Sequence, residues 1–482
     1  MVNRGCVYAN DVMVRAAERR FLEGRSCREI ASEMENGISE AHLCRLTNLA
    51  LTVFRRIHEK HREAITDHLG PWILQIDGTV DGEYEMVVAV RDAISGFLLY
   101  GRMCHSESVD ELVPLLEEIR IRYGTPAATL SDLRATLLAA LDKVFPGVPR
   151  FLCGFHFLRD EGKDLLEDRH TSLSKILRTL GTRAALKSAL VGLPPIDPLL
   201  VDELEYGYST HPERLSLMYA RRTLERLVSA KGSDGYGFPF TLRHLEFTDR
   251  CDEARETLVW IHERTGDAHV GVAVEALAQL LDDPAVQQVR RELREIAALF
   301  QALREAMGMK EERTPLSAEH RRRPEVRAAC RRLVEEWDRY LVADVPEHLY
   351  RALKHLVTAF RKREANLFPE GVGVEVPFTN NGLEGQFRKV RRNVRKRCGN
   401  RSTGRQLTLR GDELLLFQNL GNSKYREVVF GGREVAAVFG EERARWPRVP
   451  TLSSRKLTAL LEKGMMLMMS GHLPETPYSA AV

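Results

Sequence analysis

Hydrophobic residues recur at helical spacing over the first 68 residues of the chain. Ser26 followed by Glu29 is a capping-box pattern that predicts the start of a short helix, and Ser39 predicts the start of a longer one. Two helices joined by a short turn are typical of a helix-turn-helix, whose second helix enters a DNA groove. The outward side chains of that helix are His42, Arg45 and Asn48. A small helical module for packing or dimerisation is the alternative interpretation.

From Pro71 onwards the hydrophobic pattern becomes that of strands. A buried run over 72–76 ends at Asp77, and two apolar runs, 85–90 and 96–103, follow after short connections. Close spacing of this kind predicts an antiparallel meander. Further segments are a helix over 109–123, a strand over 127–130, a helix over 133–144 and a strand over 149–152. The predicted fold class is therefore an α/β core with a mixed five-stranded sheet in the order βββαβαβ.

Helical patterns return after Phe157 and continue to about residue 368. This long stretch predicts an all-α insertion that interrupts the α/β core. The predicted divisions are a helical N-terminal domain over 1–68, the first part of the core over 69–160, the insertion over 161–370, the second part of the core over 371–425, and a C-terminal tail over 426–482. The tail contains a possible strand or two and a Met-rich helix over 457–469.

Composition excludes several classes of protein. The chain has 482 residues, of which 44% are hydrophobic and 29% charged, as in ordinary globular proteins. It contains no run of about 18 apolar residues and no export signal at its start, which predicts a cytoplasmic protein without a membrane partner. Its eight cysteines are scattered without a CxxC pair, which argues against a disulfide framework.

Two aspartates follow predicted strands directly. Asp77 ends the first strand and Asp132 follows the fourth. If these strands are parallel neighbours, both carboxylates lie at the same edge of the sheet. Gly78 and Thr79 are small residues that would let a ligand approach the backbone closely. The structural alternatives are a turn-capping role for Asp77 and an N-cap role for Asp132.

A basic helix is predicted after residue 380, and Glu384 lies on the same side of it as Arg388, Arg391 and Arg395. Nine basic residues and no acidic one occur between positions 388 and 405. They are Arg388, Lys389, Arg391, Arg392, Arg395, Lys396, Arg397, Arg401 and Arg405. Such a patch predicts contacts with a phosphate backbone. The alternatives are a solvated charged face and, for Glu384, an ion pair with Arg388 one turn away.

Three carboxylates beside a basic patch suit phosphoryl transfer on nucleic acid. Mg²⁺ prefers oxygen ligands, and two ions can activate an attacking oxygen and stabilise a leaving one. The sequence therefore predicts Asp77, Asp132 and Glu384 as metal-binding catalytic residues. Cys153 and His156 are too few ligands for a closed zinc site, so that a packing or substrate-positioning role is favoured for them.

Four motifs carry a family resemblance: IDGT with Asp77, LSD with Asp132, CGFHFLR over 153–159, and TNNGLEGQFR with Glu384. In this order, with a helical insertion before the last, they resemble the DDE transposases that have an RNase H-like catalytic core. The resemblance is to the prokaryotic insertion-sequence type, which is related to the Mutator-like element transposases. It covers roughly residues 70–160 and 375–420.

The resemblance implies a function in DNA transposition. Asp77, Asp132 and Glu384 would hold two Mg²⁺ ions, with Mn²⁺ able to substitute, cleave the transposon end and direct its 3′-hydroxyl at target DNA. Cys153, His156 and Arg159 would have positioning roles. Double-stranded DNA is the implied partner, a homodimer or higher oligomer the implied assembly, and the nucleoid of a prokaryotic cell the implied location. Because the N-terminus lacks an evident zinc-finger cluster, end recognition would rest on the helix-turn-helix.

Two other functions remain open. The same core could belong to a structure-selective DNA nuclease or resolvase that stops at hydrolysis. A domesticated transposase could act only as a DNA-binding regulator, although the presence of all three carboxylates disfavours this.

Overall fold

The computed structural model describes residues 8–34, 37–81, 86–229, 237–309, 324–370, 372–373, 375–445 and 454–470. Helices predominate in these ranges, and their strands form a five-stranded sheet. None of the described helices combines the length and the hydropathy needed to cross a membrane.

Four helices precede the sheet. They are α1 (Asn10–Phe21), α2 (Cys27–Glu33), α3 (Glu40–Lys60) and α4 (Arg62–Leu69). The predicted capping box is present at the start of α2, where the backbone N–H of Ser26 donates to the Glu29 carboxylate at 2.7 Å. The Ser39 hydroxyl accepts a hydrogen bond from the His42 backbone at the start of α3. Because each cap satisfies a backbone N–H that lacks a helical partner, the local sequence specifies where these helices begin.

The sheet has the predicted composition. The strands and the helices between them are, in chain order, β1 (Ile73–Thr79), β2 (Met86–Asp92), β3 (Leu98–Cys104), α5 (Val109–Tyr123), β4 (Ala128–Ser131), α6 (Ala135–Val144) and β5 (Arg150–Leu152). The strands lie in the order β3-β2-β1-β4-β5. β2 is antiparallel to both β1 and β3, whereas β4 is parallel to both β1 and β5. The predicted order βββαβαβ and the mixed five-stranded sheet are therefore confirmed.

A helical segment follows β5, in agreement with the predicted insertion. Its described helices are α7 (Gly154–Thr179), α8 (Thr182–Gly192), α9 (Pro198–Glu205), α10 (Pro212–Ser229), α11 (Arg243–Thr265), α12 (Ala268–Leu281), α13 (Pro284–Ala306), α14 (Pro324–Tyr340) and α15 (Glu347–Leu367). These helices bury a hydrophobic core of their own, which includes Leu166, Phe247 and Leu356. The division predicted between residues 160 and 161 falls inside α7, because this helix begins directly after β5.

The chain after the insertion is helical as well. It contains α16 (Asn381–Cys398), α17 (Gly404–Leu416), a 3₁₀ helix (Phe417–Gly421), α18 (Ser423–Phe430), α19 (Val435–Ala444) and α20 (Ser454–Met469). The described residues 426–445 and 454–470 contain helices where the sequence predicts a strand or two, and the apolar runs there lie in α18 and α19. Short apolar runs do not distinguish a strand from one face of a buried helix. Residues 446–453 and 471–482 of the predicted tail lie outside the described residues.

One hydrophobic core joins the helices before the sheet and the helices α16 to α19 to the sheet. Phe54 of α3, Leu99 of β3 and Phe439 of α19 are buried in it together. The rings of Phe54 and Phe417 lie 5.3 Å apart, nearly perpendicular to each other. The helices of the predicted N-terminal domain therefore have no separate core from that of the sheet and the C-terminal helices.

Candidate active site at the edge of the sheet

Asp77 and Asp132 lie at neighbouring positions of the sheet edge, as predicted. β1 and β4 are parallel, with Gln75 opposite Leu130, and each aspartate follows its strand residue by two positions. Their side chains are buried, with 8% of Asp77 and 5% of Asp132 exposed. The backbone N–H of Gly78 donates to Oδ1 of Asp77 at 2.8 Å and orients this carboxylate.

Glu384 reaches the same edge from a distant part of the chain. It lies in the first turn of α16, and its Oε1 is 3.0 Å from Nε2 of His156. His156 is buried in the first turn of α7, directly after β5, and β5 is next to β4 in the sheet. The ion-pair partner of Glu384 is therefore His156, not Arg388 on its own helix.

Asn380 attaches the start of α16 to the sheet. Its backbone N–H donates to Sγ of Cys153 at 3.2 Å, and its Nδ2 donates to the carbonyl of Ile76 at 3.3 Å. Asn380 has the N-cap position but makes no side-chain capping bond, and its buried Oδ1 has no hydrogen-bond partner. The fully buried Asn380 thus holds the helix of Glu384 against the residue that precedes Asp77.

The electrostatics of the site reflect the burial of its carboxylates. Burial raises the pKa of Asp77 to about 6; the nearby His156 lowers it, whereas Asp132 and Glu384 raise it. The hydrogen bond from His156 lowers the pKa of Glu384. Burial lowers the pKa of His156, but the adjacent Cys153 and Glu384 outweigh it and raise the value to about 10. The carboxylate of Glu384, 3.0 Å from Nε2, thus favours the protonated form of His156.

Two residues of the site were not predicted from the sequence. Arg134 places its Nε 2.7 Å from Oδ2 of Asp132 and forms a second ion pair with Glu107. Since α6 begins at residue 135, Asp132 is not its N-cap; it accepts instead from the Arg134 backbone N–H at 3.2 Å. Glu107 packs against Gly78, where a Cβ atom would lie 2.5 Å from Oε1 of Glu107. The space above Gly78 is thus used by the protein itself, not kept free for a ligand. The only sequence signal was the position of Arg134 two residues after Asp132.

The three predicted carboxylates have the donor chemistry that Mg²⁺ or Mn²⁺ requires. Oxygen ligands from three carboxylates at one edge of the sheet are of the kind that such an ion prefers. Within the described residues, the ligand atoms of Asp77, Asp132 and Glu384 do not all lie within 4.8 Å of one another, and Arg134 and His156 form ion pairs with two of the three.

A different and more compact group lies in the helical insertion. Within the described ranges, Glu161, Asp164 and His355 have ligand atoms within 4.8 Å of one another. Nε2 of His355 is 2.7 Å from Oε2 of Glu161, so this pair is already joined by a hydrogen bond. The group was not predicted from the sequence and has no bearing on a metal at the sheet edge.

The remaining predicted positioning residues surround the site in different ways. Cys153 is fully buried, and its sulfur accepts the hydrogen bond from Asn380, which gives it a packing role. Arg159 is half-exposed, and its Nε lies 3.5 Å from Oδ1 of Asp160. Burial raises the pKa of Asp132, and the charge of Arg159 opposes this rise. The hydrogen bond from His156 lowers the pKa of Glu384, and the charge of Arg159 adds to this effect.

The predicted basic patch is divided between the surface and the interior. Its exposed members are Arg388, Arg392, Arg395, Lys396, Arg401 and Arg405, and its partly buried members are Lys389, Arg391 and Arg397. The guanidinium of Arg397 lies over the ring of Phe21 at 5.0 Å, and burial together with Arg20 lowers its pKa to about 10. Arg391 donates to the carbonyl of Val80. Arg397 and Arg391 therefore hold α16 against its neighbours, because their cationic groups are engaged inside the protein.

The predicted groove-facing residues of α3 differ in their surroundings. Arg45 is exposed. The ring of His42 lies 5.0 Å from that of Tyr8, and Oδ1 of Asn48 accepts a hydrogen bond from Arg20 at 3.2 Å. Among these three side chains, Arg45 is thus the one that is exposed, whereas His42 and Asn48 have contacts within the protein.

Comparison of the sequence with protein-family models and with curated proteins finds no match to either.

Proposed function

We propose that the protein is a DDE transposase with an RNase H-like core, and that Asp77, Asp132 and Glu384 are its catalytic carboxylates. The observation that carries the proposal is the convergence of these side chains at one edge of the sheet. Asp132 follows Asp77 by 55 residues and Glu384 follows Asp132 by 252. Burial of several carboxylates at one place is costly for folding, so that a function which needs them is the better explanation of their presence.

The carboxylates would hold divalent metal ions. When bound, Mg²⁺ or Mn²⁺ activates the attacking oxygen of a phosphodiester displacement and stabilises the leaving one. The chain itself supplies orientation: the Gly78 backbone directs Asp77, and His156 fixes Glu384. Asn380 keeps these two parts of the site in register through its bond to Ile76.

The basic face of α16 would guide DNA into the site. Arg388 and Arg392 are exposed and follow Glu384 at intervals of four residues, which places them on the same side of the helix, about 6 Å apart along its axis. A phosphate backbone lying along this face would end at the carboxylates. Affinity based on such contacts falls steeply with salt concentration.

The further parts of the proposal concern recognition and assembly. The α2–α3 pair would read the inverted repeats at the transposon ends, with the exposed Arg45 directed at the groove. Two ends must be held together for transposition, which requires a homodimer or a higher oligomer. The place of action would be the nucleoid of a prokaryotic cell.

A cleavage and joining experiment tests the function. Duplexes that carry the inverted repeats flanking the gene serve as substrates, together with a version already cut at its 3′ end. We expect the protein to cut the first with Mg²⁺ and to join the second to a target duplex. Joining distinguishes a transposase from a nuclease or resolvase, and binding without cleavage would indicate a DNA-binding regulator.

The matched variants are Asp77→Asn and Asp110→Asn. Asp77→Asn keeps the size of the side chain but removes a metal-binding charge. Changes to residues outside the ligand shell typically reduce activity by about 10–100-fold, and we expect the cleavage rate of Asp77→Asn to fall by more than this. Its DNA binding should remain. Asp110 is exposed at the start of α5, so that its variant should cut and join normally. Cleavage by Asp77→Asn at the normal rate would contradict the assignment.

A further inference from the structure

Arg134 lies between two carboxylates of the site. Its Nε is 2.7 Å from Oδ2 of Asp132, and its backbone N–H donates to Oδ1 of the same side chain at 3.2 Å. Its Nη1 forms an ion pair with Oε2 of Glu107. Both oxygens of Asp132 are thus engaged by one residue, and a cation that binds through Oδ2 must compete with the guanidinium.

Glu107 is held in place on the other side of the guanidinium. It lies in the loop between β3 and α5, and its side chain is only 16% exposed. Its Oε1 packs against Gly78, the residue after Asp77, so closely that a Cβ atom there would be 2.5 Å away. Glu107 is therefore a fixed anion next to the catalytic carboxylates, and the side chain that it binds is the one that also binds Asp132.

We propose that Arg134 is a built-in counterion that competes with divalent metal for Asp132, and that Glu107 is a positioning residue that retains the guanidinium when metal displaces it. The proposal rests on the proposed function, because it takes Asp132 as a metal ligand. Without metal, Arg134 neutralises Asp132 and reduces repulsion among the carboxylates. With metal, the guanidinium pairs with Glu107 alone. The Arg134 side chain is 45% exposed, so that this movement does not disturb the buried core.

This arrangement makes Glu107 favour metal binding indirectly. If Glu107 were absent, Arg134 would have Asp132 as its main anionic partner and would be harder to displace. A direct role of Glu107 as a metal ligand would also favour binding, but it would not depend on Arg134. The two roles therefore differ in a double-variant experiment.

The test measures Mn²⁺ binding to the full-length protein by isothermal titration calorimetry, without DNA. Arg134→Gln should bind Mn²⁺ about two- to fivefold more tightly than the unchanged protein, the range expected for a partly exposed ion pair. Glu107→Gln should bind it more weakly by a similar factor. In the Arg134→Gln background, the Glu107→Gln change should have no further effect. The control Arg150→Gln removes the 2.5 Å ion pair with Asp142 at the opposite end of β5 and should not alter binding.

Three results would overturn the proposal. If Arg134→Gln binds Mn²⁺ no more tightly than the unchanged protein does, the guanidinium does not compete with the metal for Asp132. If Glu107→Gln weakens Mn²⁺ binding as much in the Arg134→Gln background as it does alone, Glu107 is a metal ligand and not a positioning residue. Mn²⁺ binding that Asp77→Asn leaves unchanged would remove the proposed function itself. Loss of binding in Asp77→Asn, without an effect of Arg134→Gln, would refute the counterion role alone. Circular dichroism of each variant verifies that it is folded.

Discussion

We expect the protein to lose stability between pH 7.5 and 5 because of one buried histidine, His58 of α3. Nδ1 of His58 is 2.7 Å from the hydroxyl of Tyr425, and its Nε2 is 3.1 Å from the carbonyl of Leu99 and 3.0 Å from the hydroxyl of Tyr123. With the proton on Nε2, the neutral ring donates to the Leu99 carbonyl and accepts from Tyr425. These contacts join the N-terminal helices to the sheet and to α18.

The magnitude follows from the pKa of this ring. Burial lowers the pKa of His58 to about 4, although the hydrogen bond to the Leu99 carbonyl opposes this, while the ordinary value is 6.5. Above pH 6.5 neither the folded nor the unfolded chain protonates the ring. Between 6.5 and 4 only the unfolded chain does so, which means that stability falls as the pH falls. At pH 5 the loss amounts to about 2 kcal/mol.

The assay is urea unfolding at pH 7.5 and at pH 5, followed by tryptophan fluorescence, to which the buried Trp72 of the same core contributes. His58→Gln keeps a donor and an acceptor but does not titrate. The difference in unfolding free energy between the two pH values should be about 2 kcal/mol smaller in this variant than in the unchanged protein. The other titrating groups contribute to both proteins and cancel. His211→Gln, at an exposed position, should behave as the unchanged protein does. An equal pH dependence in His58→Gln would refute the reasoning.

Two further predictions concern α16. Asn380→Ala removes the bond to Ile76 and leaves a buried carbonyl unpaired, so that unfolding should require about 1–3 kcal/mol less, whereas Asn381→Ala at the half-exposed next position should have little effect in the same urea titration. Arg392→Gln removes an exposed charge and should reduce the slope of log K for DNA against log salt by about 1 in fluorescence anisotropy titrations. Arg397→Gln should leave that slope unchanged but lower the free energy of unfolding, since its guanidinium packs over Phe21. An unchanged slope in Arg392→Gln, or a reduced slope in Arg397→Gln, would contradict the assignment of Arg392 to the DNA-binding surface and of Arg397 to the interior.

The elements of the fold were largely predictable because their signals are local. Hydrophobic periods of about 3.6 and 2 residues distinguish helices from strands, and the caps at Ser26 and Ser39 mark helix starts within three residues. The order βββαβαβ followed from the same signals. The apolar runs of α18 and α19 suggested strands, because they are too short to show a helical period.

The candidate site was predictable only in part. Asp77 and Asp132 could be paired because parallel neighbouring strands end at the same edge, a rule that needs only the strand order. The contacts of Glu107 with Arg134, and of Asn380 with the carbonyl of Ile76, leave no mark in the sequence pattern. These contacts depend on how loops meet in space. Carboxylate and amide side chains are common in loops, so that their presence in the sequence does not indicate which of them make such contacts.

The amino-acid sequence by itself determined the helices, the strands, the residue types at the strand ends and the basic segment that follows Glu384. The tertiary structure decided that His156 pairs with Glu384, that Arg134 pairs with both Asp132 and Glu107, and that Arg397 packs over Phe21. It also decided that the helices before the sheet and the helices α16 to α19 share one core with the sheet. The physical reason is that a local pattern reflects which side of an element is buried, whereas the partner of each side chain depends on how separate loops, helices and strands pack together in space.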